Sequence, residues 1–240
     1  MTHRNRITLM MKDVRQHIGR SFFFFQQAIK TLFLTAQMNA RKEIKLFKER
    51  GVVAMIKGFT QLDQGAFPGK PVVEPLVAES LSNDEVKMAM EAVNILKEKR
   101  NGIIKGRTCV DGSRQKRYLR SKDSISSLTV STKGIIGSFV IDAYKEREIA
   151  IINIPGAYLH ADMEHKENRR VILKLQDEFV EYMCQANPKY LPYVLIIKDR
   201  KTLYLKLLRA LYGCIESALL WYNLFSSILI KMGFEINPYG

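Results

Sequence analysis

Residues Arg147–Asp162 read REIAIINIPGAYLHAD. Ile149-Ala150-Ile151-Ile152 is a short apolar run rich in β-branched residues, the pattern of a strand buried on both faces. The run stops at Asn153, and Pro155-Gly156 then turns the chain. A small residue and an aromatic one, Ala157-Tyr158, follow at once. The pattern leaves two readings open. One is a core strand with an ordinary exit turn. The other is a buried strand that delivers a polar side chain to a sheet edge.

Working upstream, Lys133–Tyr144 carries apolar residues at helical spacing. Ser113–Thr132 is polar, basic and rich in Ser and Thr. The stretch Ile103–Gly112 reads as a strand entering a glycine turn. Its cations, Lys105 and Arg107, are two residues apart and so share one strand face. Paired cations on one face suit a triphosphate or backbone phosphates; a solvated edge strand accounts for them equally well. Ser82-Asn83-Asp84-Glu85 is a capping-box sequence. With Val86, Ala89, Met90, Val93 and Leu96 as an apolar face, it predicts one helix running to a stop at Asn101-Gly102. Residues 58–80 hold Gly58, Gly65, Pro68, Gly69, Pro71 and Pro75 and read as a linker. Residues 1–57 carry twelve Lys or Arg against three acids. Within them Leu32, Ala36, Ala40, Ile44 and Phe47 predict helix over 20–50.

Downstream, Arg170–Leu175 reads as a strand and Glu178–Asn187 as a short helix. Tyr193–Ile197 and Thr202–Leu207 read as a hairpin turning at Asp199-Arg200-Lys201. Glu216–Met232 is an amphipathic helix that Gly233 stops. The expected class is α+β: a basic helical region over 1–57, a linker over 58–80, and a mixed α and β body over 81–240.

The chain has 240 residues, 47% of them hydrophobic, and a formal net charge of +14. That balance supports a real core and favours a polyanionic partner, nucleic acid before an anionic membrane surface. An ordinary basic soluble protein fits the charge as well. The three cysteines, Cys109, Cys184 and Cys214, have no metal-ligand spacing, so neither zinc nor a disulfide framework is indicated. A reducing, intracellular setting fits, with cytoplasm and nucleus both open. No apolar run approaches the roughly 18–20 residues of a spanning helix, and neither a membrane partner nor a signal peptide is expected.

Three segments, in order, carry a resemblance. They are Ile104–Gln115 (IKGRTCVDGSRQ), Ile152–His160 (INIPGAYLH), and Leu203–Cys214 (LYLKLLRALYGC) running into Ala218–Tyr222. Together they resemble the reverse transcriptase domain of copia-type retrotransposon polyproteins over about residues 74–240, with a weaker likeness back to about residue 36. The resemblance implies a partial right-hand polymerase, fingers and palm, with an incomplete mixed palm sheet preceded by basic helices. It implies an RNA template and a DNA primer as partners, and the remaining polyprotein parts beside them. Arg107, and with it Lys105, would contact the phosphates of the incoming nucleotide. Tyr158 would lie under its sugar and exclude a 2′-hydroxyl. Glu216 stands where these enzymes usually carry Gln, in the segment that supports nucleotide and template–primer.

The family's chemistry uses two Mg²⁺ ions. It takes their ligands from one Asp at the end of the first palm strand and an Asp-Asp pair on a later hairpin. Here the first position is Asn153, and no Asp-Asp dipeptide occurs in the 240 residues. Asp162 reads as a loop carboxylate. The expectation is a truncated, degenerate domain that binds no Mg²⁺ and does not polymerise. The alternative is a non-catalytic nucleic-acid-binding remnant, or a chain with no function. With the later hairpin missing, the strand at 149–153 is expected to have an open edge and an uncovered apolar face.

Overall fold

The computed structural model describes residues 40–67, 69–117, 130–149, 151–163 and 170–235, and of residues 116 and 117 the backbone alone. These all fall within one unit, Asn39–Gly240. The part of the expected N-terminal helix before Ala40 lies outside the described residues.

Two helices come first, α1 (Ala40–Phe47) and α2 (Glu49–Gln64), separated by Lys48 with φ +49°. In α2, Gly51, Ala54, Met55, Phe59 and Leu62 are buried along one side, the stripe that a 3.6-residue period makes. Strand β1 (Val73–Pro75) follows, then α3 (Asn83–Met88), β2 (Met90–Glu98) and β3 (Ile104–Val110). After them come α4 (Thr132–Tyr144), β4 (Ile172–Gln176), α5 (Glu178–Ala186), β5 (Leu195–Ile197), β6 (Arg200–Leu207) and α6 (Ser217–Lys231). The class is α+β.

The sheet order is β1-β6-β4-β2-β3, with β5 also paired to β6. Only β2 and β4 run parallel, through Met90↔Leu173 and Glu91↔Lys174; the other pairs are antiparallel. Side chains alternate across each strand. Leu173, Leu175, Leu203, Leu205 and Leu207 join Met55, Phe59, Met183 and Tyr190 in the main core. Ile172 and Tyr204 face the other way and form a small cluster with Leu76 and Ala89. Beside it, Lys174 pairs with Glu91 at 3.4 Å and Lys206 with Glu74 at 3.0 Å.

Helix α2 lies directly on β3. A Cβ on Gly106 would come within 2.5 Å of the Ala54 carbonyl oxygen, and a Cβ on Gly58 within 3.1 Å of the Gly106 oxygen. Gly106 therefore needs glycine for space, and a side chain at Gly58 would press on the Gly106 backbone. At its C-terminal end, α2 presents Asp63 to the segment after α5. Asp63 accepts hydrogen bonds from the Tyr190 hydroxyl at 2.7 Å and from Asn187 Nδ2 at 2.9 Å, and pairs with Lys189. Burial alone would raise the Asp63 carboxyl; the bonds from Asn187, Lys189 and Tyr190 outweigh it and hold it low.

Several expectations are met. The capping box at Ser82 and Glu85 is formed. So are α4, β4, α5, the β5–β6 hairpin and α6, the last closed by Gly233 at φ +90°. Others are corrected. The helix expected over 82–100 stops at Met88, and Met90–Glu98 is strand. Its apolar positions serve either period, and pairing to β3 and β4 decides for strand. The expected linker over 58–80 begins inside α2 and contains β1, because its glycine at 58 is a packing position rather than a break. The hairpin turns at Lys198-Asp199, both at positive φ, as a two-residue connection requires. Most consequential, residues 147–149 and 151–154 form no strand and are not buried. Ile151 is 87% exposed and Ile152 71%. The run pairs with none of the described strands. Ala150 lies outside the described residues.

Gly106→Ala is expected to destabilise the fold by about 2–3 kcal/mol, since backbone must move to admit the methyl group. Urea denaturation measures it, and an unchanged midpoint would refute the crossing.

A second prediction concerns acid. Arg170 grips Glu85 with two bonds of 2.7 Å, tying the start of α3 to the residues before β4. The Arg170 hydrogen bonds lead in pulling the Glu85 carboxyl from 4.5 to about 2, with the Ser82 cap helping. A depressed carboxylate stabilises the fold fully above its unfolded value and loses that contribution as pH falls toward its folded one. Between about pH 5 and pH 2 the wild type should lose about 1–2 kcal/mol more stability than Arg170→Leu. Parallel losses in pH-dependent urea melts would contradict this.

Candidate nucleotide-binding face

The segments that follow β3 and β6 meet backbone to backbone. The Val110 N–H donates to the Tyr212 carbonyl at 2.8 Å. Gly213 has φ +95°, and a Cβ on it would lie 2.0 Å from the Val110 oxygen; a Cβ on Gly112 would lie 2.2 Å from the Gly213 oxygen. Neither glycine can carry a side chain there. Gln115 is fully buried, and its Oε1 accepts from the Ile215 N–H at 2.7 Å, while its Nε2 has no partner among the described residues. Ser217 donates to the Leu211 carbonyl at 2.7 Å, closing the turn into α6.

The third segment joins through an aromatic contact. Gly156, at φ +63°, opens a 3-10 turn over Ala157–His160. Tyr158 in that turn packs on Tyr212, with ring centroids 4.7 Å apart. The Ala210 N–H bonds to the Ala161 carbonyl at 2.9 Å, and the Met163 N–H to the Leu208 carbonyl at 3.0 Å. Tyr158, Tyr212 and Gln115 thus stand around one backbone junction. Glu216 is buried at the start of α6. Beside it, burial pushes the Cys214 thiol up to about 12, and the Glu216 charge adds to the effect.

Lys105 and Arg107 sit on β3, alternating with the inward-facing Gly106 and Thr108, and both are exposed. In the ladder, Lys105 lies directly opposite Lys97, and Arg107 opposite Ile95. Partial burial first, then the charges of Arg107, Lys99 and Lys57, pull the Lys105 ammonium below its usual value. Like charges directly opposite one another oppose strand pairing. A bound phosphate group would relieve that repulsion, and an exposed strand face with two cations one pleat apart can hold a polyphosphate or a phosphodiester backbone.

Asn153 is exposed, on the segment that forms no strand. No hydrogen bond or ion pair among the described residues joins it to Lys105, Arg107 or Glu216. Mg²⁺ needs anionic oxygen ligands converging on one point. Asn153 offers only a neutral amide, and the Asp162 carboxylate is engaged by Arg209, with which it also forms a β-bridge. Among the described residues no three His, Cys, Asp or Glu converge as a metal site. As placed here, Asn153 and Asp162 do not offer Mg²⁺ a converging pair of free carboxylates.

Sequence reading passed over two features. The role of Gln115 as a buried acceptor has no local signal, since a lone Gln in a basic stretch reads as solvated. Phe67, half exposed between Gly65 and Gly69, reads as loop; its ring stands 4.8 Å from that of His160. No helix among the described residues is long and apolar enough to cross a membrane. Comparison of the chain with protein-family models, with curated proteins and with solved structures found no match.

Proposed function

We propose that this chain is a copia-type reverse transcriptase domain, derived from a retrotransposon polyprotein, that binds nucleic acid and nucleotide phosphates but does not polymerise. The carrying observation is the meeting of segments far apart in sequence. The Val110–Gln115 stretch, the Tyr158 turn and the Leu211–Glu216 stretch come together through the Val110–Tyr212 and Gln115–Ile215 bonds and the Tyr158–Tyr212 contact. These are the segments that carry the resemblance, and in a fingers-and-palm arrangement they would surround one nucleotide. The Lys105 and Arg107 face supplies phosphate-binding charge. The amide at Asn153 supports the loss of polymerisation, because the two-metal reaction depends on a carboxylate at that position.

Primer extension on an RNA template tests the catalytic half. With Mg²⁺ or Mn²⁺ the chain should yield no extended product, and Asn153→Asp alone should remain inactive. Extension by the unaltered chain would overturn the assignment of inactivity.

Binding tests the other half. Affinity for an RNA–DNA hybrid should fall steeply with salt, because cationic contacts release counterions from the phosphates. Lys105→Glu with Arg107→Glu should weaken binding about tenfold at low salt and shallow the salt slope by about two. If the chain at low salt bound no better than a neutral control protein, the nucleic-acid reading would fail, leaving a chain without this function.

A further inference from the structure

Four rings from separate parts of the chain form a row outside the buried core. Phe67 follows α2, His160 ends the 3-10 turn, and Trp221 and Phe225 lie one turn apart on α6. Successive centroids are 4.8 Å apart for Phe67–His160, 6.0 Å for His160–Trp221 and 5.2 Å for Trp221–Phe225. The last pair is close to parallel, at 14°. Phe67 is 55% exposed and the other three rings are half-buried. The row is held in place from behind. His160 Nε2 donates to the Pro155 carbonyl at 3.1 Å, and Arg209 Nη1 donates to the His160 carbonyl at 3.4 Å.

We infer that this row is a stacking platform for the bases of a single-stranded nucleic acid. The inference rests on the nucleic-acid reading above and deepens it, since His160 and Trp221 lie in two of the segments that carry the resemblance; it uses neither the β3 cations nor Tyr158. Rings that present part of a face to solvent, beside positive charge, suit base stacking, which tolerates any sequence because every base has a π face. Charge favours this occupant over an apolar protein segment. Lys70, whose N–H bonds to the Phe67 carbonyl, is exposed at one end of the row, and Lys231 is exposed at the end of α6. The whole chain carries +14. Asp162, two residues after His160, is engaged by Arg209.

Trp221 is the only tryptophan in the chain, so its fluorescence reports on this surface alone. The full chain is titrated at low salt with a fluorescein-labelled oligo(dT) of about twenty nucleotides, enough to cover a single binding site. Anisotropy reads binding, and tryptophan emission is followed with the unlabelled strand. Binding should quench Trp221 with the same midpoint as the anisotropy rise, and a duplex of the same length should quench less. Phe67→Ala should weaken single-strand binding about tenfold, the loss of one stacked base, and Phe67→Tyr should restore it. Phe67 is outside the core, so the fold should survive, which far-UV circular dichroism checks; Phe225→Leu is the second probe. Binding without quenching, with both variants at wild-type affinity, would overturn the platform while leaving the nucleic-acid reading intact. Trp221 emission that changes with protein concentration alone, without oligonucleotide, would assign the row to contact with a second copy and overturn it too. Failure of any single strand to bind would remove both the platform and the reading beneath it.

Discussion

The fold depends on how closely α2 approaches β3. At Gly106 the helix backbone occupies the space where a side chain would begin. That contact decides which face of the β2–β3 ribbon is inside. Gly106 and Thr108 point toward α2, with Thr108 bonded to Asn94 at 2.8 Å in the buried layer. Lys105 and Arg107 must then point outward, because side chains alternate. The cationic face is thus a consequence of core packing. The far end of the same helix is fastened independently, by Asp63 to Asn187, Lys189 and Tyr190. With both ends fixed, α2 sets the position of β3 relative to the rest of the sheet.

Where local chemistry decides structure, the sequence was legible. Ser82 and Glu85 satisfy each other's backbone donors within four residues, and no distant contact is needed to form the cap. Gly233 ends α6 for an equally local reason. The cation spacing at Lys105 and Arg107 was readable as a shared face once a strand was assumed. Where distant pairing decides, sequence patterns misled. Val86, Ala89, Met90, Val93 and Leu96 fit a helical stripe, but Met90–Glu98 pairs with β4 at its start and with β3 along the rest and takes the strand form those partners require. Gly58 looked like a break, although its lack of a side chain lets the helix continue against β3. The meeting of Gly112 with Gly213 could not be read at all, since about a hundred residues separate the two and only the folded sheet brings them together.

The run at Ile149, Ile151 and Ile152 is the reverse case, a strong strand pattern without a strand. β-Branched apolar residues favour a strand only when a neighbour accepts the backbone hydrogen bonds and covers the side chains. In the described sheet no strand pairs with this run or covers it. The run therefore stays exposed. Helix α4 has the same character: none of its residues is buried, although Ile135, Ile136, Phe139, Val140 and Ile141 are apolar. Apolar sequence sets a demand for burial, and the surrounding topology determines whether it is met.

This separates two parts of the proposed site that the resemblance would join. The cationic part rests on Gly106, Gly112 and Gly213, whose places are fixed by backbone contacts within the packed body. The Tyr158 turn is anchored to that body through Tyr212 and the Ala161–Ala210 bond. Asn153 lies only five residues before Tyr158, yet no comparable contact among the described residues holds it. A neutral amide on an exposed segment has neither the charge nor the fixed position that a divalent cation requires. Charge at the Lys105 face needs neither. Electrostatic attraction to phosphate is long-ranged and tolerant of geometry, whereas two-metal catalysis demands carboxylates placed to within a fraction of an ångström. On the proposed reading, binding can therefore persist on a scaffold that no longer supports catalysis.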